Sequence, residues 1–470
     1  MERALQHQQS VELARHKGPH EPTNFQYQCL KPYVSRCLAF LQRHYAVYGQ
    51  RHCLYSQRSG HLGNAPSMRR TCDLLIVGSG PAGTAAAIAA RQNAPNLHTL
   101  VIDRTTFPRD KTCGDGLGPG VVARLEQLGA TDLLADARPI DALRIVGPSG
   151  ESVSGPLPTM GSSEPKGVVI PRQDFDAALQ TRAVAEGVEI LPEHKLVTLD
   201  TSPTHAVITR AQTPHGHVSI HAKAVIAADG ARSDIRRHLG IRFNSPETTG
   251  LAIRTYIKAS THPFDHMEFH FRRDLLPAYG WVFPIERGHA NVGVMIDAAR
   301  YHPDNKNLRT MLNEFAMEIG ASEFDRANTG TYMLPYATSV PRLTHNRIAL
   351  VGDAGSMINP FSGEGIAYGM AAGIEAAERA VRSLQQHTAG SPFGDFDDWF
   401  HQRFGKHFKA SAYAKRLAQR GWLANFGVRA ARRRPSLLAE GIHLLVGEGT
   451  SLSWRSLITV LTQGNLYLRG

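Results

Sequence analysis

The six residues Gly78-Ser79-Gly80-Pro81-Ala82-Gly83 follow the apolar run Cys72-Asp73-Leu74-Leu75-Ile76-Val77 and lead into the small-residue run Thr84-Ala85-Ala86-Ala87. A GxGxxG in this setting confines the chain to strand, tight turn and helix. Gly78 makes the turn, Gly80 lets the backbone approach a pyrophosphate, and Gly83 lets the helix pack closely on the strand. Pro81 and Ala82 open the helix, whose N-terminal N–H groups and dipole favour an anion. Asp103 lies 20 residues beyond Gly83 and closes the next strand, Leu100-Val101-Ile102, where a carboxylate can accept from a ribose hydroxyl. Strands, spacing and acid agree on an adenine dinucleotide.

The 470 residues suffice for two or three packed layers, and 42% apolar with 20% charged residues is ordinary for a soluble globular protein. No window holds 18 or more uninterrupted apolar residues, so no spanning helix is expected. Five cysteines (Cys29, Cys37, Cys53, Cys72, Cys113) without repeated spacing argue against a disulfide framework or a metal site and suit a reducing cytoplasm. The net charge of +11 is concentrated in two places. Residues 1–67 carry eight Lys or Arg against three Glu, and ten Lys or Arg with no acid lie between Asp398 and Glu440. Trp399, Phe400, Phe404, Phe408, Trp422 and Phe426 are interleaved with the second group. Basic helices with aromatic faces suit an anionic lipid surface, which predicts a cytoplasmic protein held peripherally on a membrane. The alternative is a solvated helical face covering the core. No nucleic-acid module accompanies the charge, so nucleic acid is not an expected partner.

From Thr71 the pattern is α/β: strand 72–77, helix 81 to about 93, strand 98–103, a helix near 120–129, strand-like segments over 140–170, and a helix from Asp174 to Glu186. A hairpin-like region, about 195–222, precedes the buried strand Val225-Ile226-Ala227-Ala228. Residues 250–300 alternate as an antiparallel sheet would, with Trp281–Pro284 and Ala290–Val294 as neighbours. Ile348-Ala349-Leu350-Val351 is a further buried strand before an Ala-rich helix, and the chain from about 395 reads as helical.

Two more glycine-acid turns end buried strands: Asp229-Gly230, and Gly352-Asp353 continuing through Asn359-Pro360-Phe361-Ser362-Gly363-Glu364-Gly365-Ile366. Ligands of open α/β sheets bind at such carboxyl ends. Asp353 can accept from a ribityl hydroxyl, and Gly363 and Gly365 let backbone approach a flat ring system. The helix opening near Gly365 and Ile366 aims its positive end at that ring. Three such segments together point to FAD.

In their order these segments resemble FAD-containing oxidoreductases with the para-hydroxybenzoate hydroxylase fold. Phe107-Pro108-Arg109-Asp110-Lys111-Thr112-Cys113-Gly114-Asp115-Gly116, Pro277-Ala278-Tyr279-Gly280-Trp281-Val282-Phe283-Pro284, Asn291-Val292-Gly293 and Pro360–Ile366 resemble the geranylgeranyl reductase family. The likeness runs from about 70 to 440, and its most specific part is the Tyr-x-Trp-x-Phe-Pro box. Members saturate carbon–carbon double bonds in isoprenoid chains: chlorophyll side chains, archaeal lipids, menaquinone tails. The resemblance implies an α/β fold in which an FAD-binding Rossmann-like domain is interleaved with an antiparallel-sheet substrate domain and followed by a helical C-terminal region. The expected division is 1–67 a disordered extension or mis-assigned start; 68–140, 171–245 and 341–390 the three FAD-binding segments; 141–170 and 246–340 the substrate domain; and 391–470 a basic helical region.

The family's roles follow residue by residue. Cys113 and Gly114 would sit by the flavin face, with the thiol steering the alkene or the ring. Tyr279 and Trp281 would line a long apolar pocket and fix the lipid over the isoalloxazine. Arg104 and Arg172 resemble cofactor-contacting arginines of this fold. Met295 departs from the small residue expected there and would narrow the tunnel. The implied reaction has two halves: a reductant delivers two electrons to FAD, then hydride reaches one alkene carbon and a proton the other. There is no second GxGxxG, so NAD(P)H would bind transiently, and ferredoxin or another reduced carrier is equally compatible. A water, Tyr279 or a residue of the helical tail would serve as proton donor. The rival enzyme is an aromatic monooxygenase of the same fold, or a halogenase, whose Trp-x-Trp-x-Ile-Pro signature is not matched here. A purely electron-transferring flavoprotein is disfavoured because no iron–sulfur cysteine cluster is present.

Overall fold

Leu74, Leu75 and Ile76 are fully buried in succession, the mark of a parallel strand covered on both faces by helices. The computed structural model describes residues 68–448 other than 163, 260, 261, 263, 305 and 389. The expectation for residues 1–67 and the end of the helical region, 449–470, lie outside the described residues. Strand β1 (Met68–Val77), helix α1 (Pro81–Asn93) and β2 (Thr99–Ile102) form a βαβ unit. The chain then passes through β3 (Gly116–Leu117), α2 (Pro119–Gln127), β4 (Arg138–Ile140), β5 (Ala142–Val146), β6 (Ser152–Pro156) and β7 (Gly167–Val169). Helix α3 (Arg172–Ala185) returns it to the first sheet through β8 (Glu189–Leu191), β9 (Lys195–Asp200), β10 (Val207–Thr213) and β11 (Gly216–Ala227). β11 runs parallel to β1 along its length, so the hairpin strand and the buried strand read separately in the sequence are one 12-residue strand.

After α4 (Asp234–His238) come β12 (Thr249–Lys258), β13 (Met267–His270), β14 (Gly280–Glu286) and β15 (His289–Asp297), antiparallel neighbours in one sheet that β5 joins by pairing parallel to β13, with β6 beyond it. Trp281 pairs with Gly293 and Val282 with Val292, as the alternation predicts. Period two decides the faces of β14. Trp281 and Phe283 join the cluster of Met267, Phe269 and Tyr279. Val282 joins Phe315 on the opposite face. Phe315 belongs to α5 (Leu308–Glu318), a helix inside the stretch read as sheet. β16 (Glu323–Phe324) and β17 (Gly330–Pro335) pair with β12. β3, β7 and β4 form a small sheet of their own, so the strands of 140–170 divide between two sheets.

β18 (Thr344–His345) and β19 (Ile348–Leu350) complete the first sheet, β19 parallel to β11. Helix α6 (Ile366–Gln386) packs on α1 so closely that a Cβ on Gly373 would stand 2.2 Å from the Ala82 main-chain oxygen. α7 (Phe396–Ala418), α8 (Gly421–Arg433) and α9 (Pro435–Val446) follow. The aromatics of α7 do not form the lipid-facing surface inferred from the sequence. Phe400, Phe404 and Phe408 are buried in the main core with Trp399 packed against it, because burying each such ring is worth about 2–3 kcal/mol. Two aromatics of these helices face outward: Tyr413 of α7 is 47% exposed, and Trp422 of α8 is 53% exposed, its ring edge-on to Phe426 at 5.5 Å. Among the described residues no helix is long and apolar enough to cross a membrane.

Candidate active site

The fingerprint turn accepts only glycine at two points. Gly78 has φ +102° and a Cβ there would lie 2.3 Å from the Ala228 main-chain oxygen; at Gly83 it would lie 1.9 Å from the Gly78 oxygen. Gly80 differs: its Cβ would meet nothing nearer than the Arg109 guanidinium at 3.8 Å. It caps α1 without a side-chain hydrogen bond, so the helix opens onto free space with a cation beside it. Arg109 is steadied by the Phe107 ring (4.5 Å) and Asp176 (3.6 Å). Asp103 holds the turn itself, its two oxygens accepting from the Ser79 and Thr105 main-chain N–H and hydroxyl groups at 2.8–2.9 Å. Arg104, expected at the cofactor, is exposed and does not line the cavity.

Asp229 follows β11, and its Oδ2 accepts from the Ile235 N–H at 3.2 Å. Its Oδ1 is buried with no partner among the described residues, and burial pushes the carboxyl up. Asp353 accepts from Lys111 Nζ (3.2 Å) and the Tyr332 hydroxyl (2.8 Å). Burial opposes its charge, but Lys111 and Tyr332 hold the carboxyl below its usual value. Gly352 and Gly363 are left-handed (φ +60° and +69°), and Gly365 caps α6 ahead of Ile366 without a side-chain bond. Buried Asn359 shapes this loop by accepting the Phe361 and Ser362 N–H groups at 2.9 and 3.2 Å, while the Tyr279 hydroxyl donates to the Ser362 carbonyl.

One cavity joins these turns to the aromatic face of the antiparallel sheet. Gly80, Pro81, Ala82, Gly352, Asp353, Gly363, Gly365 and Ile366 line one side. Met267, Phe269, Tyr279, Trp281, Phe283 and Met295 line the other, with Leu445 and Val446 of α9 closing it. The rings interlock, Phe269 lying 4.8 Å from Tyr279 and 5.4 Å from Phe283. Met295 Sδ would be 3.4 Å from a Cβ on Gly363, so this side chain reaches across to the glycine wall. Cys113 and Gly114 lie at the junction of the two sides, with Arg172 beside them. Burial pushes the Cys113 thiol up, with Arg172 opposing. Burial likewise opposes the Arg172 charge, but its bidentate pair with Asp176 (both bonds 2.8 Å) lifts the guanidinium well above its ordinary value. Burial pushes the Tyr279 hydroxyl up, so it stays a neutral donor.

The sequence reading missed three polar groups. Arg109 and Lys111 stand in a motif it quoted, so a signal existed; Tyr332 reaches Asp353 from β17 and carried none. The residues fit an FAD: glycine turns whose open side a Cβ would fill, a cation at a bare helix N-terminus, and an unpartnered buried oxygen on Asp229.

Residues 71–388 match the FAD binding domain family. The chain is similar to the menaquinone reductase of Mycobacterium tuberculosis, 35% identical over 322 residues that span 66% of this chain and 77% of that one. It is also similar to digeranylgeranylglycerophospholipid reductase 3 of Methanosphaera stadtmanae, 26% identical over 346 residues, or 72% and 84% of the two chains. A solved geranylgeranyl bacteriochlorophyll reductase-like protein from Thermoplasma acidophilum shares the fold with a TM-score of 0.70 at 23% identity, covering 85% of this chain and 97% of that one.

Proposed function

This chain belongs to the FAD binding domain family and, within it, to the geranylgeranyl reductases; on that premise we propose that it saturates carbon–carbon double bonds of an isoprenoid chain, with bound FAD supplying the hydride. The observation that carries the reading is the single cavity shared by the glycine turns and the aromatic sheet face. An unactivated alkene is a poor hydride acceptor, so positioning in a dry pocket carries much of the rate. The residues divide accordingly. Gly78, Gly80, Pro81, Ala82, Gly83, Asp103, Asp229, Gly352, Asp353, Gly363, Gly365 and Ile366 hold the cofactor, with Gly114, Arg172 and the newly seen Arg109, Lys111 and Tyr332. Arg104, exposed and away from the cavity, is left out of this set. Tyr279 and Trp281 fix the isoprenoid, and Cys113 steers it as a neutral thiol. Tyr279, whose hydrogen is given to Ser362, also holds the loop of Gly363 against the lipid.

The menaquinone reductases among its relatives make a menaquinone tail the first substrate to test; a geranylgeranyl lipid or a chlorophyll side chain would fill the same apolar pocket. NAD(P)H or a ferredoxin-like carrier would reduce the protein in a transient encounter. We place the protein in the cytoplasm, held peripherally on the membrane by exposed Trp422 and the basic residues around it, because its substrate dissolves there. The domain boundaries set out from the sequence stand as part of this proposal.

The test is anaerobic reduction of the FAD-loaded protein followed by menaquinone or a geranylgeranyl lipid. Optical reoxidation without oxygen, with the lipid gaining two hydrogens per event by mass spectrometry, is the expected result. A protein that stays reduced until air is admitted, and then adds one oxygen to a substrate, is a monooxygenase.

A further inference from the structure

Asn291 stands on β15 opposite Phe283, and none of it is exposed. Its amide makes three bonds whose sense chemistry fixes. The side-chain carbonyl accepts the Trp281 indole N–H at 3.0 Å, and an indole nitrogen can only donate. The two amide hydrogens go to the Cys113 main-chain oxygen at 2.8 Å and to Asp115 Oδ2 at 2.7 Å. A flipped amide would set donor against donor and acceptor against acceptor.

Asp115 is an unusual anchor. It is fully buried and left-handed (φ 64°), a conformation uncommon for a non-glycine residue that surrounding structure must hold. Its Oδ1 accepts the Arg172 main-chain N–H at 3.1 Å and its Oδ2 the Tyr256 hydroxyl at 2.7 Å, besides Asn291. Gly114 and Gly116 flank it so tightly against the Phe283 ring that a Cβ on either would come within 2.8–3.0 Å of ring carbons. The Cys113 loop is thus bolted to β12, β14 and β15 through one carboxylate and one amide.

We propose that Asn291, anchored by Asp115, is a positioning residue that holds the Cys113 backbone and the Trp281 indole in one register across the substrate pocket. This rests on the reductase reading of that pocket. Asn291 touches neither cofactor nor lipid; it acts through the two groups it joins. A displacement of about 1 Å in a positioned site costs on the order of 10²-fold in rate.

The test compares FAD-loaded wild type with Asn291→Leu, which keeps the volume and removes all three bonds. Two readouts are taken: kcat and KM for anaerobic menaquinone reduction, and the pH profile of iodoacetamide alkylation at Cys113, followed by peptide mass spectrometry. The expected result is a kcat lower by about 10- to 100-fold with KM little changed, together with an alkylation profile moved to lower pH as water reaches a thiol that burial now pushes up. A fall in kcat with an unmoved alkylation profile overturns the proposal, as does a moved profile with unchanged kcat. If Asn291→Leu does not fold or hold FAD, Asn291→Ser carries the test: the shorter side chain cannot join the indole, the Cys113 carbonyl and Asp115 at once, and its failure to move the Cys113 profile overturns the proposal equally. Should wild type reduce no lipid, the reductase reading fails by itself, and the alkylation profiles still decide whether Asn291 positions Cys113.

Discussion

Gly293 faces Trp281 across the β14–β15 pair, and the indole lies over it. A Cβ on Gly293 would stand 2.1 Å from Trp281 Cζ2, 2.3 Å from Cη2 and 2.6 Å from the Ile253 main-chain oxygen. Carbons in contact sit about 3.5–4.0 Å apart, so in Gly293→Ala the indole must retreat by about 1.4 Å or more. The Ile253 carbonyl is fixed in its strand and cannot share the movement. The 3.0 Å bond from Trp281 to Asn291 does not survive such a shift. Overpacking of this kind costs about 1–3 kcal/mol, and an unmade buried hydrogen bond about 1–3 kcal/mol more. Gly293→Ala should therefore lose about 2–6 kcal/mol in urea unfolding with FAD in excess. It should also slow anaerobic menaquinone reduction by on the order of 10²-fold. Stability within about 0.5 kcal/mol of wild type, with an unchanged rate, would refute the placement of the indole against this strand.

Glu268 should set part of the acid stability. Burial opposes its ionisation, yet the imidazoles of His262 (3.6 Å) and His270 (2.7 Å) hold the carboxyl at about 2 against an ordinary 4.5. A depressed value stabilises the fold above about pH 4.5 and is lost as the pH falls towards 2. At about 1.4 kcal/mol per unit the loss is on the order of 3 kcal/mol, and Glu268→Gln should flatten the acid limb of urea stability. Asp353→Asn should weaken FAD binding about tenfold or more, since hydrogen bonds to charged groups contribute about 1.5–3 kcal/mol; an unchanged Kd in a flavin-fluorescence titration would remove Asp353 from the cofactor site. Trp422→Asp should cut co-sedimentation with anionic vesicles several-fold while FAD remains bound, and undiminished sedimentation would take α8 off the membrane.

The cofactor half was legible because its constraints are local. Gly78 and Gly83 are required by main-chain atoms a few ångströms away, and a pattern records such a requirement directly. The aromatic box was legible for a related reason: alternation along β14 puts Trp281 and Phe283 on one face whatever lies opposite. What covers a face is a different matter. Phe396, Phe400, Phe404 and Phe408 recur every fourth residue, which defines a helical stripe without saying whether lipid or core meets it; the core does. Leu308, Met311, Leu312 and Phe315 carry a helical period that the sequence reading, which assigned 246–340 to a sheet domain, did not separate out. Tyr332 at Asp353 and the bond from Asn291 to Cys113 depend on neighbours distant in the chain, and no local pattern encodes them.

β1 is flanked in the parallel sheet by β2, its near neighbour in sequence, and by β11, which the ribosome delivers only after some 140 further residues. β19 and the loop of Gly363 arrive later still. A nascent chain therefore exposes the apolar strand of β1 long before its second partner exists, and such high-separation pairing folds slowly and is prone to aggregate. Cofactor capture belongs to the end of biosynthesis, since α6 supplies a wall of the cavity and α9, which closes it, comes later still. Flavin supply then acts as a folding ligand for the finished polypeptide, drawing the completed chain towards its native state by mass action.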